Sequence, residues 1–213
     1  MGTVIGKVSV ETPKYNVTSS GEGYEIREYP PQLAAEVTYN PTTMKRGADG
    51  GFMVLAAYIG AVGKPANVAP KGESGEKIAM TAPVITQEGA GQKGEPEKIA
   101  MTAPVVTQES EAEGKNKLIT MQFILPAQYK SVESTPKPTD ERVVVKEIPG
   151  RKYGVTTFSG VADNSLVEKK LVGLKAALEK GGFTITGQHL VARYNPPWTP
   201  GFLRTNEVLL PVE

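Results

Sequence analysis

The sequence predicts an α+β protein: a barrel-like antiparallel sheet with two helices against it, built as a pseudo-twofold βαββ duplication. Three observations predict it. Short runs rich in β-branched and aromatic residues recur along the chain, each bounded by Gly, Pro or Asn. Only two segments carry helical spacing. The same order of elements, two strands, a helix and two more strands, occurs in each half, and closing the sheet removes its exposed edges.

The first strands are "YEIREY" (Tyr24–Tyr29), which stops at Pro30-Pro31, and "LAAEVTY" (Leu33–Tyr39), which ends at Asn40-Pro41. The first helix is assigned to "GGFMVLAAYIGAVG" (Gly50–Gly63). "KIAMTAPV" follows as a strand, with Ile78, Met80, Ala82 and Val84 on one face. "LITMQFILP" (Leu118–Pro126), "RVVVKEI" (Arg142–Ile148) and "YGVTTFSG" (Tyr153–Gly160) are further strands. The second helix, Ser165–Gly182, puts Val167, Leu171, Leu174 and Leu178 on one face. It opens on a Ser165…Glu168 capping box and closes at Gly181-Gly182. "HLVARYN" (His189–Asn195) and "EVLLPV" (Glu207–Val212) complete the sheet.

One stretch occurs twice: "EKIAMTAPVITQE" at Glu76–Glu88 and "EKIAMTAPVVTQE" at Glu97–Glu109. A solenoid needs roughly three or more units, so this is one strand copied once. The first copy is expected in the sheet and the second in or beside an extended loop. The polar sequence around 86–117 is expected to be a mobile loop within a single domain spanning 1–213.

Composition narrows the function. The 213 residues carry a net charge of +1 and no cysteine. No basic field points to nucleic acid or to an acidic membrane, and thiolate catalysis, disulfides and zinc–sulfur sites are excluded. The longest apolar stretch, Gly50–Gly63, is too short to span a bilayer. The N-terminus lacks the apolar region of a secretion signal, and Gly6 stands where a myristoylation motif has Ser or Thr. A monomer in the cytoplasm, without nucleic-acid or membrane partners, is expected.

No nucleophile elbow, Walker loop, dinucleotide fingerprint or paired carboxylates appear. The one histidine, His189, lies in a strand and is a weak candidate for an iron ligand or a proton shuttle. Two stretches are more distinctive. The first helix has Val54, Leu55, Tyr58, Ile59 and Val62 on one face, yet its opposite face, with Phe52, Met53, Ala56, Ala57 and Gly60, is also uncharged. This is either a helix buried on both sides or an apolar platform for a flat ligand. The second stretch is "ARYNPPWTPGFLRTNEV" (Ala192–Val208), where prolines flank the only tryptophan, Trp198. A Trp held this way loses little entropy on binding. Arg204 in the same loop offers a cation to a carboxylate.

These motifs resemble those of the SOUL/haem-binding proteins, especially plant-type cytosolic haem-binding members. The resemblance is carried by "VETPKYNVTSSGEGYEIREYPP", "GGFMVLAAYIG", both "EKIAMTAPV" copies, "TMQFILP", "KPTDERVVVKE", "KYGVTTFSG" and "ARYNPPW…RTNEV", in the family's order over nearly the whole chain. It implies a distorted β-barrel of about eight strands with two flanking helices. It also implies a shallow groove for haem and related porphyrins such as protoporphyrin, between the first helix and the Trp198 loop. Carried over residue by residue, the groove falls on Phe52, Met53, Ala56 and Ala57 on the helix side and Tyr194, Pro197, Trp198 and Thr199 on the loop side. Ala57 and Thr199 stand where members can place basic side chains for the propionates; Arg204 or Lys45/Arg46 are the substitutes here. The implied role is a non-enzymatic carrier, buffer or delivery protein, with a possible protein partner in haem metabolism. An enzyme acting on the bound tetrapyrrole, with His189 or Tyr194 as proton groups, and a haem-modulated interaction module are the alternatives.

Overall fold

The computed structural model describes residues 10–40, 50–72, 74–90, 117–195 and 198–213. Strands β1 (Asn16–Gly21), β2 (Tyr24–Tyr29) and β3 (Gln32–Tyr39) precede helix α1 (Gly51–Tyr58). Then come β4 (Asn67–Val68), β5 (Val84–Ala90), β6 (Lys117–Ile124), β7 (Lys137–Pro138), β8 (Val144–Ile148) and β9 (Arg151–Phe158). Helix α2 (Asn164–Lys180) and strands β10 (Leu190–Arg193) and β11 (Asn206–Pro211) complete the fold.

Nine strands form one antiparallel sheet in the order β1-β2-β9-β11-β10-β5-β6-β3-β8, and β4 and β7 form a separate ribbon. The order is that of two related halves meeting at β5 and β10. One half is β3-α1-β5-β6 and the other β9-α2-β10-β11, which is the expected βαββ duplication. The flanking strands are exchanged: β2 leads into β3 but pairs with β9, and β8 leads into β9 but pairs with β3. Each crossover is a two-residue link, Pro30-Pro31 or Pro149-Gly150. Such a link reaches only about 11 Å between its flanking Cα atoms, so the two ends of the sheet must come together and the sheet curls into a half-barrel. The two links touch at Gly150, where a Cβ would lie 2.9 Å from Tyr29 O and 3.1 Å from Pro31 Cδ. Only glycine lets them pass.

Both helices pack on one face. Val167, Leu171, Leu174 and Leu178 of α2 are buried as their spacing predicts. Leu178 reaches the sheet because Gly154 has no side chain; a Cβ there would sit 2.5 Å from Leu178 Cδ2. The N-cap is Asp163, not Ser165: its carboxylate accepts from Leu166 N at 2.8 Å, and the helix starts two residues before the expected box. In α1, Val54, Leu55, Tyr58 and Ile59 enter a core with Leu33, Ala35, Val37, Phe123 and Leu125. Tyr58 Oη donates to Pro136 O at 2.8 Å, and burial raises its pKa.

Two expectations change. The helix ends at Tyr58 rather than running on to Gly63, because Ala66, Asn67 and Ile78 return to bond its last carbonyls. Ala66 N donates to Ala57 O at 2.8 Å, Ile78 N to Ile59 O at 3.0 Å, and Asn67 Nδ2 to Tyr58 O at 2.5 Å. The first "KIAMTAPV" copy is also not itself the strand. Residues 77–83 carry no strand ladder, only a single bridge between Glu11 and Thr81, and β5 begins at Val84, directly after Pro83, which has no N–H to give a ladder. Ile78 and Ala82 are buried but Met80 is 43% exposed, so the four residues do not share a buried face. Strand β5 continues through 86–90, at the start of the region read as loop. The second copy lies outside the described residues.

Candidate ligand groove

Helix α1 packs on β3 and β6, and α2 on β9, β11 and β2. Strands β5 and β10 lie between the parts of the sheet that the helices cover. From β6 to β11 there are three interstrand spacings, about 14 Å, whereas packed helices approach to roughly 8–10 Å. The helices therefore stand apart and leave a groove whose floor is the helix side of β5 and β10. Val84, Thr86 and Glu88 of β5 and Arg193 of β10 are half-buried there, while Val191 is buried.

Strand register makes this floor explicit. Directly paired residues share a face, so Ala35, Phe123, Val84, Arg193, Asn206 and Phe158 form one row across six strands on the helix side. Ala35 and Phe123 belong to the α1 core and Phe158 to the α2 core. Arg193 is the one charged member of the row. Its Nη1 donates to Thr86 Oγ1 at 2.8 Å and its Nη2 to Ala162 O at 3.0 Å. Burial lowers its pKa, while Tyr39 and Glu88 pull the other way.

The α1 wall is aromatic at its edge. Phe52 is 36% exposed and meets Phe123 edge-on, with ring centroids 5.5 Å apart. Met53 and Ala57 are half-buried beside it, but Ala56 is 0% exposed and Gly60 is buried. The uncharged face of α1 is thus covered in part and open at Phe52, Met53 and Ala57.

The loop between β10 and β11 follows Arg193 and leads to Asn206, at one end of the floor row. Its backbone is tied down: Gly160 N donates to Gly201 O at 3.0 Å, Asn206 Nδ2 to Gly160 O at 3.0 Å, and Thr205 N to Asn195 Oδ1 at 2.7 Å. Arg204 Nε braces it by donating to Thr199 O at 2.7 Å. Trp198 is 81% and Phe202 78% exposed, and the neighbouring Val161 is exposed as well.

Tyr194 is placed elsewhere. Its ring packs with Val155, Ala192 and Leu209 on the sheet face turned away from the helices. Among the described residues neither helix covers that face, yet those three residues are buried, with Tyr29, Tyr153 and Leu190 packed against them. Tyr194 Oη donates to Glu207 Oε2 at 2.6 Å. Glu207 Oε1 accepts from Arg27 Nη1 at 2.7 Å and from Thr157 Oγ1 at 3.2 Å, and Arg27 Nε donates to Glu25 Oε2 at 2.8 Å. The Arg27 guanidinium also lies 4.3 Å from the centre of the Tyr15 ring. Burial, then Glu207, raises the Tyr194 pKa, and burial pushes Tyr29 up to about 12. For Arg27, burial lowers the pKa, but bonds to Tyr29, Glu207 and Glu25 outweigh it and the net shift is upward.

The structure thus brings Phe52, Met53 and Ala57 to one side of the groove and Trp198 and Arg204 to the loop beyond it. It does not bring Tyr194 there. His189 precedes β10, four residues or about 13 Å along the chain from Arg193. Among the described residues no three His, Cys, Asp or Glu side chains are grouped to hold a metal. Pro197, Lys45 and Arg46 lie outside the described residues. Sequence reading missed Arg193, Phe202 and Val161. For Arg193 the signal was available: in "HLVARYN" it has the parity of Val191, whose apolar side chain belongs inside the helix-side core.

A separate cavity of about 260 Å³ lies by the β2–β3 crossover, with Pro13, Pro30, Pro31, Leu33, Pro126 and Tyr129 in its lining. That is below the ~300–1,000 Å³ usual for ligand pockets. Among the described residues no helix is long and apolar enough to cross a membrane.

A family model described as SOUL heme-binding protein matches residues 10–95 and 88–211. No curated protein matches the chain. Among solved structures, the EcmrR C-terminal domain is similar with a TM-score of 0.52 and 14% identity, over 93% of this chain and 98% of that one. A hydrolase from Listeria innocua is similar with a TM-score of 0.54 and 13% identity, over 92% and 94%. An uncharacterized conserved protein from Listeria innocua gives 0.54 and 15%, over 89% and 92%. At these identities the likeness is one of fold.

Proposed function

The chain belongs to the SOUL haem-binding protein family, and from that premise we propose that the groove over β5 and β10 binds haem and related tetrapyrroles. In this reading the protein is a non-enzymatic carrier, buffer or delivery protein. The observation that carries the reading is the groove itself: an open floor between two helices too far apart to meet, with Phe52 on one side and Trp198 on the other, both exposed. A flat macrocycle has two apolar faces and an edge, and such a cleft offers it a floor and aromatic walls.

The energetics suit reversible binding. Removing ~300 Å² of apolar surface from water is worth roughly 7 kcal/mol. Lost rigid-body freedom takes back several kcal/mol, and stacking on Trp198 restores part of that. The result is affinity in the micromolar range that does not depend on an axial ligand. Such affinity suits holding and handing over a ligand, whereas redox chemistry on an iron centre is governed by its axial ligand.

Titration of haem and of metal-free protoporphyrin, followed by the Soret band and by Trp198 fluorescence, tests this. Both are expected to bind with similar affinity, and Trp198→Ala is expected to weaken both about tenfold, the value of one lost aromatic stacking contact. Failure of both ligands to bind below about 100 µM, where binding is only some 5 kcal/mol, defeats the reading.

A further inference from the structure

We propose that Arg193 is the group in the groove that receives a carboxylate of the ligand, so that the site selects macrocycles bearing acidic side chains over neutral ones. This assignment rests on the tetrapyrrole reading above and adds to it the anchoring residue and the ligand chemistry it selects.

Three features carry it. The first is position. Arg193 sits in the floor row between Phe123, on which Phe52 leans, and Asn206, which is bonded to Gly160 beside the Trp198 loop. The second is charge balance. Both protein partners of Arg193, Thr86 Oγ1 and Ala162 O, are neutral, and among the described residues no carboxylate lies within ion-pair distance of it. Glu88, on the same face of β5, acts on it only at longer range. A guanidinium does not shed its proton in the working range of pH, so the charge persists although burial opposes it, and an anion placed against it offsets that cost. The third is capacity. Among the described residues two of the five N–H groups are engaged, and these two bonds hold the fork in place. A pre-set fork with free donors matches a carboxylate.

The test compares protoporphyrin with its dimethyl ester, which has the same ring and no acid, on the wild-type protein and on Arg193→Ala and Arg193→Lys. The diacid is expected to bind the wild type about tenfold tighter than the ester, the value of a hydrogen bond to a charged group. Arg193→Ala is expected to lose that tenfold for the diacid and to leave the ester within about twofold. Arg193→Lys, which keeps the charge without the fork, is expected to recover part of it. Equal losses for diacid and ester would show a scaffold residue and overturn the proposal, as would an unchanged Arg193→Ala. Where the variants do not fold, the wild-type ratio alone decides: equal binding of diacid and ester overturns the role of Arg193 while leaving tetrapyrrole binding intact. Absence of binding by either ligand removes the tetrapyrrole reading, and with it this assignment.

Discussion

Arg27 and Arg193 lie on opposite faces of the same sheet, and their surroundings differ in kind. Arg27 is enclosed by the curl of the sheet and bonded to two carboxylates, Glu207 and Glu25, with Tyr15 stacked on it. Arg193 lies on the helix side, between α1 and α2, bonded among the described residues to a hydroxyl and a carbonyl. The enclosed face is electrically complete and serves the fold. The open face holds a charge with no paired carboxylate among the described residues and carries exposed aromatic rings, and it is the face proposed for the ligand. The same residue type is structural on one side and available on the other because the sheet curls away from its helices.

The sharpest way to break this contrast is to damage the enclosed face. Glu207→Ala leaves Arg27 with one carboxylate, Glu25, and removes the acceptor of Tyr194, and it is expected to cost about 3–5 kcal/mol of stability. Urea unfolding measures the loss. In protein that remains folded, porphyrin affinity is expected to stay within about twofold of wild type.

The converse damage is to the open face. Phe52→Asp puts a carboxylate on the α1 wall at a partly exposed site. It is expected to cost about 1 kcal/mol of stability through the lost contact with Phe123 and to weaken porphyrin binding about tenfold or more. Fluorescence titration and thermal unfolding of one sample measure both. Loss of stability without loss of affinity would show that Phe52 belongs to the core.

The smallest expected effect concerns Tyr194. Tyr194→Phe removes one hydrogen bond to a charged acceptor and is expected to cost about 1–2 kcal/mol, because Glu207 keeps Arg27 and Thr157. Porphyrin binding is expected to be unchanged, since the ring lies on the enclosed face. The pH dependence has a definite sign. Tyr29, Tyr58 and Tyr194 have folded pKa values above the ordinary tyrosine value, Tyr29 up to about 12. Below about pH 10 both states hold these protons and the stabilisation is complete. As pH rises further the unfolded chain releases them first, so stability falls through the folded pKa values. Tyr194→Phe is expected to flatten that fall in a series of melting temperatures between pH 8 and about 11.5.

Much of the architecture was legible because it is written in periodicity. The α2 stripe of Val167, Leu171, Leu174 and Leu178 and the "YEIREY" strand required only spacing and punctuation. Strand β1 was not legible: "NVTSSG" is exposed at every position and held by pairing with β2, so no alternation marks it. The α2 start was misplaced because Asp163 and Ser165 are both good caps, and the structure uses Asp163. The "KIAMTAPV" alternation misled because Pro83 ends any ladder, so residues 77–83 pack without pairing while β5 forms after them. At the site, the exposed Phe52 and Trp198 were legible as apolar residues without a local reason. Ala56 was not separable from them, since the covering segment 60–78 is a tertiary feature. Tyr194 and Arg193 are adjacent in sequence and opposite in face. Loop membership suggested Tyr194, whereas strand parity selects Arg193.

The position of the bound ring decides between the two faces of the sheet. A crystal structure of the protein with bound protoporphyrin measures that directly. The expected result is a ring over β5 and β10, within about 4 Å of Phe52 and Trp198, with a carboxylate on the Arg193 guanidinium. A ring seated on the enclosed face beside Tyr194 and Glu207, or by the proline-lined cavity at the β2–β3 crossover, would contradict it.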